Sequence, residues 1–326
     1  MTERSATVAA ELAERVRRRL AELHPGERAG RLADLPGGHS GLTYSVSVGA
    51  QRYVVKAVPP GQRPIGRNDV LRQAEVLRAL GDFVVPVPRV VAVDAEQPAW
   101  FAMTYEAGEA VEPVLDDAPL DPRLARDRML RLAGVLRQLH ALDVATLGLP
   151  APDPLDPCAE LERWSKTMRA VPPQLRPGSA RLLRRLGERV PDPVAPVLVH
   201  GDFRLGNVLF AGTRPRAVVD WEIWSVGDPR TDLGWFLVFA DHTTFPGVGH
   251  AVPGLPSEDE LLAAYAGDGE VPPDMAWFRA LGRMKMAAIM GHNLRRHREG
   301  KHHDPVQEQL PPTIAALIAS ARSILG

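Results

Sequence analysis

The stretch of sequence that decides the fold is HGDFRLGN at residues 200–207, which is followed by Asp220. Apolar runs flank it: VLV precedes it, VLF follows Asn207, and AVV leads into Asp220. These runs predict short buried strands, so Asp202, Asn207 and Asp220 come at strand ends and turns, where polar groups need partners. Two carboxylates and one amide oxygen suit Mg²⁺, and a carboxylate that is not bound to the metal can accept a proton from a hydroxyl. Each acid alone is more typical of a helix cap or a turn, but the joint spacing favours a site.

The segment upstream of this stretch has the pattern of a small, mostly antiparallel sheet with one inserted helix. Its predicted elements are a hairpin of strands at 42–48 and 52–58, a helix over about 70–80, and strands at about 89–94 and 99–105. After residue 105 helical periods dominate, and they are interrupted only by the β-rich residues 197–220. The sequence therefore predicts an α+β fold with two domains, a β-rich lobe at residues 1–105 and a helical lobe at residues 106–326. A ligand between two such lobes is the default expectation.

The motif HGDxxxxN, followed by an aspartate at the end of a strand, resembles the catalytic core of the aminoglycoside phosphotransferase family, whose fold is similar to that of protein kinases. The segments VVDWE at 218–222 and GDPRTDLGW at 227–235 extend the likeness, which most resembles the kinase-like domains joined to certain acyl-CoA dehydrogenases. The resemblance implies a bilobal fold with a β-rich nucleotide-binding lobe and a helical catalytic lobe. In the phosphoryl-transfer template it makes Asp202 the catalytic base, with Asn207 and Asp220 as Mg²⁺ ligands. Arg204 would then neutralise charge on the transferred phosphate, a surface arginine being the alternative.

The family also requires a strand lysine that holds the phosphates and a helix glutamate that holds this lysine. Lysine occurs at only four positions, and arginine supplies the other 35 basic residues (39 − 4), so Lys56 in the apolar run RYVVKAV is distinctive. A compact ammonium fits between phosphates where a planar guanidinium does not. Glu75, on the predicted helix, is the expected partner of Lys56, and a solvated surface glutamate is the alternative.

Further nucleotide contacts follow from the same resemblance. The glycine-rich turn at 37–44 departs from the kinase spacing G-x-G-x-x-G, but its backbone N–H groups are suited to phosphate oxygens, an ordinary hairpin turn being the alternative. The segment at 103–108 would bind the adenine edge through its backbone. The expected nucleotide is ATP, with GTP as the alternative. The residues placed around it in this way are Lys56, Glu75, Gly38, Ser40, Gly41, Met103 and Tyr105.

Four other residues near the motif have expected roles by position. His200 would orient the catalytic loop, and Asp232 would cap a helix or brace that loop. Glu222 and Trp224 directly follow the proposed metal ligand Asp220, so they are candidates to line the acceptor pocket. Core packing of the tryptophan is the alternative.

The acceptor is the least defined part of the prediction. Residues 277–303 contain seven basic residues against one acid, a balance of +6 in a chain of net charge −1. If this face lines the cleft, we expect an anionic acceptor such as a hydroxyacid or a hydroxyacyl-CoA rather than a polycationic antibiotic. The alternative is a solvated basic helix face.

Composition excludes several other classes of protein. The near-neutral charge argues against a general nucleic-acid binder, and no apolar run is long enough for a membrane span. A single cysteine excludes an internal disulfide framework, and the charged N-terminus is unlike a signal peptide, so we expect a cytoplasmic protein of undefined oligomeric state. The P-loop, the G-x-S-x-G elbow and the H-E-x-x-H motif are absent from the sequence.

The leading hypothesis is an ATP- and Mg²⁺-dependent O-phosphotransferase that acts on a hydroxyl of a small molecule. One alternative is an aminoglycoside or other antibiotic phosphotransferase, and another is a nucleotide-binding module without catalysis. A metal-dependent hydrolase built on His200, Asp202 and Asp220 would leave Lys56 and Glu75 unexplained.

Overall fold

The structure is a computed structural model that describes residues 3–35, 42–59, 61–117, 120–150, 153–301 and 303–326. The chain divides into two compact units. Unit 1 is Met1–Gly108, Leu147–Leu149 and Arg216–Ile223. Unit 2 is Glu109–Thr146, Pro150–Pro215 and Trp224–Gly326. The short segment Arg216–Ile223, which contains Asp220, therefore belongs to the same unit as the N-terminal sheet.

Unit 1 is a five-stranded antiparallel sheet with two helices. Its elements are α1 (Glu3–Glu22), β1 (Ala33–Asp34), β2 (Leu42–Val48), β3 (Gln51–Ala57), α2 (Val70–Leu80), β4 (Val90–Asp94) and β5 (Trp100–Thr104). The strand order is β1-β2-β3-β5-β4, and the predicted hairpin pairs Leu42 with Ala57 and Val48 with Gln51. The antiparallel sheet with one inserted helix is as predicted.

The core of unit 1 follows from two periodicities. Leu12, Val16 and Leu20 recur every four residues on α1, so they form one apolar stripe, and this stripe packs into a cluster with Val55 of the sheet. Neighbouring residues of a strand point to opposite faces. Lys56 follows Val55 on β3 and therefore points away from that cluster.

Unit 2 is mainly helical. Its helices are α3 (Pro122–His140), α4 (Pro157–Arg169), α5 (Ser179–Glu188), α6 (Pro229–Phe236), α7 (Glu258–Ala266), α8 (Met275–Arg298) and α9 (Pro311–Ile324). The short strands of the region predicted to be β-rich are β6 (Val197–Val199), β7 (Val208–Ala211), β8 (Arg214–Val218) and β9 (Ser225–Gly227), of which β8 ends in unit 1 and β6 pairs with β9. Helix α6 ends at Phe236 and is followed by a 3₁₀ turn at Leu237–Ala240.

Two glycines determine how closely α6 and α8 approach. A Cβ atom at Gly234 would collide with the carbonyl of Phe278, and one at Gly282 would collide with the carbonyl of Gly234. The two helix backbones are therefore in direct contact, and a larger residue at either position would separate them. This crossing fixes α6 against the long, mostly buried α8. None of the helices in the described part of the chain is both long and apolar enough to cross a membrane.

Candidate active site

The first group of site residues lies in unit 1. Lys56 Nζ donates to Asp220 Oδ1 at 2.9 Å and to Gln73 Oε1 at 3.3 Å. The Asp220 backbone has a φ of 66°, in the left-handed region that an aspartate tolerates better than most residues but that still stores strain. Such backbone strain is typical of functional positions.

The predicted partner of Lys56 on α2 is wrong by two residues. Glu75 is exposed, whereas Gln73 is 4% exposed and accepts from the lysine. Two residues on a helix are separated by about 200°, so Gln73 and Glu75 point in nearly opposite directions. Gln73 shares its face with Leu77 and Leu80, both buried, and that i, i+4, i+7 pattern is the signal that identifies it. Asp220 is therefore the only carboxylate within salt-bridge distance of Lys56 among the described residues.

The second group lies in unit 2, on the loop after β6. Asn207 Nδ2 donates to Asp202 Oδ2 and to the Asp202 carbonyl oxygen, both at 2.8 Å. Trp235 Nε1 donates to Asp202 Oδ1 at 2.9 Å. Both carboxylate oxygens of Asp202 therefore have a fixed donor, while 24% of the side chain stays exposed. Trp235 closes the GDPRTDLGW segment, and sequence reasoning gave it no role.

Asp232 binds the backbone at the start of this loop. It is fully buried and accepts from the backbone N–H groups of His200 at 2.7 Å and Gly201 at 2.8 Å. Burial alone would raise the pKa of Asp232, but hydrogen bonds from His140 and from the His200 backbone hold it below the ordinary value. The N-cap of α6 is Asp228, so of the two predicted roles for Asp232 the structure shows the brace. His200 Nδ1 accepts from the Asp202 N–H at 3.1 Å, which ties the imidazole to the same loop.

Arg204 lies between two carboxylates. Its Nε is 3.6 Å from Asp202 Oδ1, and its Nη1 is 3.6 Å from Glu112 Oε2. Glu112 is fully buried, and its Oε2 accepts from the Gly206 N–H at 3.1 Å. Its Oε1 has no hydrogen-bond partner in the part of the chain that the structure describes. Glu112 had no predicted role, although a lone acid in the run VEPV is the kind of residue that needs a partner.

Burial raises the pKa of Glu112 to about 7 from its ordinary value of 4.5, and the Arg204 charge opposes that rise. The folded state therefore holds the Glu112 proton more tightly than the unfolded state. This contribution to the free energy of unfolding is complete below about pH 4.5 and is lost as the pH rises to about 7. The loss amounts to about 3 kcal/mol at most.

We expect the variant Glu112→Gln to remove this pH dependence, because its amide is neutral at every pH and still offers an oxygen to Gly206. The melting temperature of E112Q should exceed that of the wild type at pH 8 and match it near pH 4.5. Differential scanning fluorimetry over this range measures the difference, with the exposed Glu75→Gln as control. A shift of equal size at both ends of the range would contradict the assigned pKa.

The remaining predicted nucleotide contacts have mixed outcomes. Gly38, Ser40 and Gly41 lie outside the described residues. Met103 is buried on β5, and the Tyr105 N–H donates to the Arg52 carbonyl at 3.0 Å. That N–H is therefore already used, and the prediction that this segment binds adenine rests on the residues after Tyr105.

The predicted acceptor residues also divide. Trp224 is 1% exposed, so it packs in the core, and its predicted place in the lining of an acceptor pocket is corrected. Glu222 is half-buried, and its role stays a prediction.

Five of the seven basic residues in segment 277–303 form ion pairs, with three acids between them. The ion pairs are Arg279 and Arg283 with Glu258, Arg295 and Lys301 with Glu299, and Arg298 with Glu308. Lys285 is buried and donates to the Gly201 carbonyl. Because five of these charges are already paired, the segment is weak support for an anionic acceptor, which stays a prediction.

The donor set fits the Mg²⁺ that the motif implies. Asn207 uses its Nδ2 as a donor to Asp202, and this fixes its carbonyl oxygen as the end that can bind a cation. The Asn207 amide oxygen and, in unit 1, the Asp220 carboxylate are each hard donors of the type that Mg²⁺ takes alongside phosphate oxygens and water. No group of three or more His, Cys, Asp or Glu side chains in the described ranges is placed to hold a metal without such help.

The chain is similar in sequence to two known proteins and in fold to the solved structure of a third. The human acyl-CoA dehydrogenase family member 11 is 28% identical over 275 residues, which are 79% of this chain and 35% of that protein, so the chain spans about a third of its length. Viomycin phosphotransferase of Streptomyces vinaceus is 27% identical over 227 residues, which are 66% of this chain and 75% of that enzyme. A crystal structure from Ralstonia eutropha, provisionally described as an aminoglycoside phosphotransferase, has a TM-score of 0.74 and 23% identity, covering 93% of this chain and 96% of the other.

Solved structures of the same fold also contain nucleotides. The GDP complex of aminoglycoside 2'-phosphotransferase-IIIa has a TM-score of 0.62 with 16% identity, and it covers 95% of this chain and 98% of the other. The complex of LicA with AMP has a TM-score of 0.60 with 17% identity over 95% and 99% of the two chains. These likenesses confirm the predicted kinase-like α+β fold, and they include both a guanine and an adenine nucleotide.

The family model described as the phosphotransferase enzyme family (APH) matches residues 31–281, which include the β3 lysine, the HGDFRLGN loop and the Asp232 brace. The predicted resemblance is thereby confirmed, and the chain belongs to the phosphotransferase enzyme family.

Proposed function

We propose that this protein is an ATP- and Mg²⁺-dependent O-phosphotransferase that moves the γ-phosphate to a hydroxyl group of a small molecule. The observation that carries the proposal is the Asp202 carboxylate, which Trp235 and Asn207 hold through one donor on each oxygen. A base aimed in this way, in a chain of a phosphotransferase family, is suited to accept the proton of an attacking hydroxyl.

Lys56 and Asp220 form the nucleotide-binding part of the proposal. Each neutralises the other at 2.9 Å, and the lysine ammonium can transfer one of its three N–H donors from Asp220 to a phosphate oxygen. Asp220 and Asn207 are the residues that would hold Mg²⁺. When bound, Mg²⁺ supplies positive charge to the phosphate oxygens. Lys56 adds a second positive charge that stays in place, because the lysine is 13% exposed and bonded on two sides.

Asp202 supplies the acid–base chemistry. The acceptor hydroxyl gives its proton to the Asp202 carboxylate, its oxygen forms the new bond to the γ-phosphorus, and the bond from that phosphorus to the β-phosphate oxygen breaks. The nucleoside diphosphate leaves with the electron pair of the broken bond. Arg204 is 27% exposed and 3.6 Å from Asp202, so its charge is available to the equatorial oxygens of the transferred group.

A second candidate acceptor class is an antibiotic hydroxyl. The similarity to viomycin phosphotransferase covers 75% of that enzyme, which makes this class a candidate. The acyl-CoA dehydrogenase relatives extend well beyond the matched region, so their names refer to much longer proteins.

A thermal-shift measurement tests nucleotide binding. We expect Mg²⁺ with ATP to raise the melting temperature, because a ligand at a hundredfold excess over its Kd stabilises the folded state by about 2.7 kcal/mol. Mg²⁺ alone and ATP alone are the controls, and GTP in a parallel series decides between the two nucleotides. The absence of a shift with either nucleotide would overturn the proposal.

A transfer assay then identifies the acceptor. The terminal phosphate of labelled ATP is followed into a panel of aminoglycosides, macrolides, viomycin, choline-like amines and hydroxyacyl compounds. We expect one class to accept the label at a rate well above hydrolysis. Nucleotide binding without transfer to any class would favour the alternative of a module without catalysis.

A further inference from the structure

A buried lysine on α8 lies beside the catalytic loop. Lys285 is 4% exposed, and its Nζ donates to the carbonyl oxygen of Gly201. The same nitrogen lies 4.0 Å from the ring centroid of Trp235 and 5.1 Å from that of Trp164. No carboxylate oxygen of the described residues lies within 4.0 Å of it, in contrast to the paired arginines of this helix. Its hydrogen-bond and ring contacts among the described residues are therefore one backbone carbonyl and two indole faces.

Such a side chain is expensive for the fold. An ammonium that is buried without a paired carboxylate loses its hydration free energy. One hydrogen bond and two cation–π contacts stabilise it by less than this loss. Burial accordingly lowers the pKa of Lys285, against the opposing charges of Asp202, Glu160 and Asp232. Replacement of a buried charged group by an apolar residue of similar volume is often neutral or stabilising. The presence of lysine here, in a chain with only four lysines, points to a role other than stability.

Two of the three groups that Lys285 contacts adjoin Asp202. The Gly201 carbonyl belongs to the peptide bond that precedes Asp202, and Gly201 has a φ of 85°, which glycine adopts readily. Asp232 binds the Gly201 N–H, and Lys285 binds the carbonyl. The Trp235 indole, whose Nε1 donates to Asp202 Oδ1, presents its ring to the same ammonium.

The helix crossing described above fixes this arrangement. Trp235 follows Gly234 on α6, and Lys285 lies three residues after Gly282 on α8. Because the two glycines bring the helix backbones into contact, the lysine and the indole are held in register by the packing.

We propose that Lys285 is a positioning residue that fixes the Gly201 carbonyl and the Trp235 indole and thereby aims the Asp202 carboxylate. The proposal rests on the proposed function of Asp202. It assigns Lys285 no contact with substrate or nucleotide.

The variant Lys285→Met tests this, with exposed Lys301→Met as the matched control. We expect K285M to fold with a melting temperature equal to or above that of the wild type. Its kcat should fall about 10- to 100-fold, the range that follows when a catalytic group is misplaced by a support outside the chemistry, while the nucleotide KM changes less than threefold. A merely structural role predicts the opposite pattern, a lower melting temperature with an unchanged kcat, and would overturn the proposal.

Hydrogen–deuterium exchange gives a readout that does not depend on activity. Amides of residues 200–207 should exchange faster in K285M than in the wild type, whereas K301M should leave them unchanged. Unchanged exchange in K285M would overturn the proposal even if the enzyme is active. If the wild type transfers phosphate to no acceptor, the proposed function fails while the exchange result still decides whether Lys285 holds the loop.

A second variant keeps the test independent of the folding of K285M. Trp235→Phe removes the Nε1 donor to Asp202 but keeps an aromatic ring against Lys285. Its kcat should fall within the same range, and the double variant should lose less than the product of the two single losses, because both act on one carboxylate. Full activity of W235F, or independent losses in the double variant, would overturn the proposal.

Discussion

Replacement of Asp202 by alanine is expected to lower turnover about 10²–10⁴-fold, the range that a positioned general base contributes. The acceptor hydroxyl then has no group to receive its proton. Lys56, Asn207 and Asp220 remain in place, so the affinity for Mg²⁺ and nucleotide should stay within about tenfold of the wild type, as expected when only the acid–base group is removed. Steady-state kinetics and isothermal titration with the nucleotide measure the two quantities separately.

The companion variant Asp202→Asn tests whether turnover depends on the shape of the Asp202 side chain or on its charge. Its amide matches the carboxylate in size, but one of its two ends is an NH₂ group that must face either Trp235 Nε1 or Asn207 Nδ2, and both of these are donors. We therefore expect D202N to be as inactive as D202A. The exposed Asp268→Ala serves as the control and should keep full activity. Loss of nucleotide binding in either Asp202 variant would contradict the role of a base, and substantial activity in D202N would point to a different proton acceptor.

Removal of the β3 ammonium is the second large expected effect. We expect Lys56→Met to reduce kcat/KM for the nucleotide about 10²–10³-fold, the loss typical of one preorganised group that stabilises charge. The ammonium is held by Asp220 and Gln73 before any phosphate arrives, so its charge is in place without reorganisation. The KM for the nucleotide should rise, because Lys56 binds the phosphates in the ground state as well.

Two residues of α2 extend this prediction. Gln73 is the partner of Lys56 and Glu75 is the matched control. Gln73→Ala should weaken nucleotide binding, because it removes the second acceptor that orients the ammonium. Glu75→Ala should leave kcat/KM within about twofold, since its side chain is exposed and a surface substitution of this kind is ordinarily neutral. An E75A variant as damaged as K56M would restore the lysine–glutamate pair that the sequence predicts. A K56M variant with wild-type kinetics would remove Lys56 from the site.

The loop at residues 200–207 shows how much of the candidate site can be predicted from local sequence. The motif HGDFRLGN, with apolar runs on either side, determines a turn after a short buried strand, and the side chains of Asp202 and Asn207 meet because they are five residues apart in that turn. The strand alternation around Lys56 likewise places its side chain on the face of the sheet opposite to Val55. Such features depend on period and spacing over a few residues, and for this reason the α+β fold and these positions were predictable.

Partners that come from distant segments were decided only by the tertiary structure. Lys56 and Asp220 are 164 residues apart in the chain, and no local pattern indicates their contact. Gln73 rather than Glu75 faces Lys56 because the packing of α2 on the sheet selects one side of the helix. Glu112 and Lys285 are charged residues in segments whose sequence resembles a connector and a solvated helix face. Packing buries both side chains against the loop at residues 200–207. The burial of a side chain depends on which distant segments pack over it, and a local sequence pattern does not contain this information.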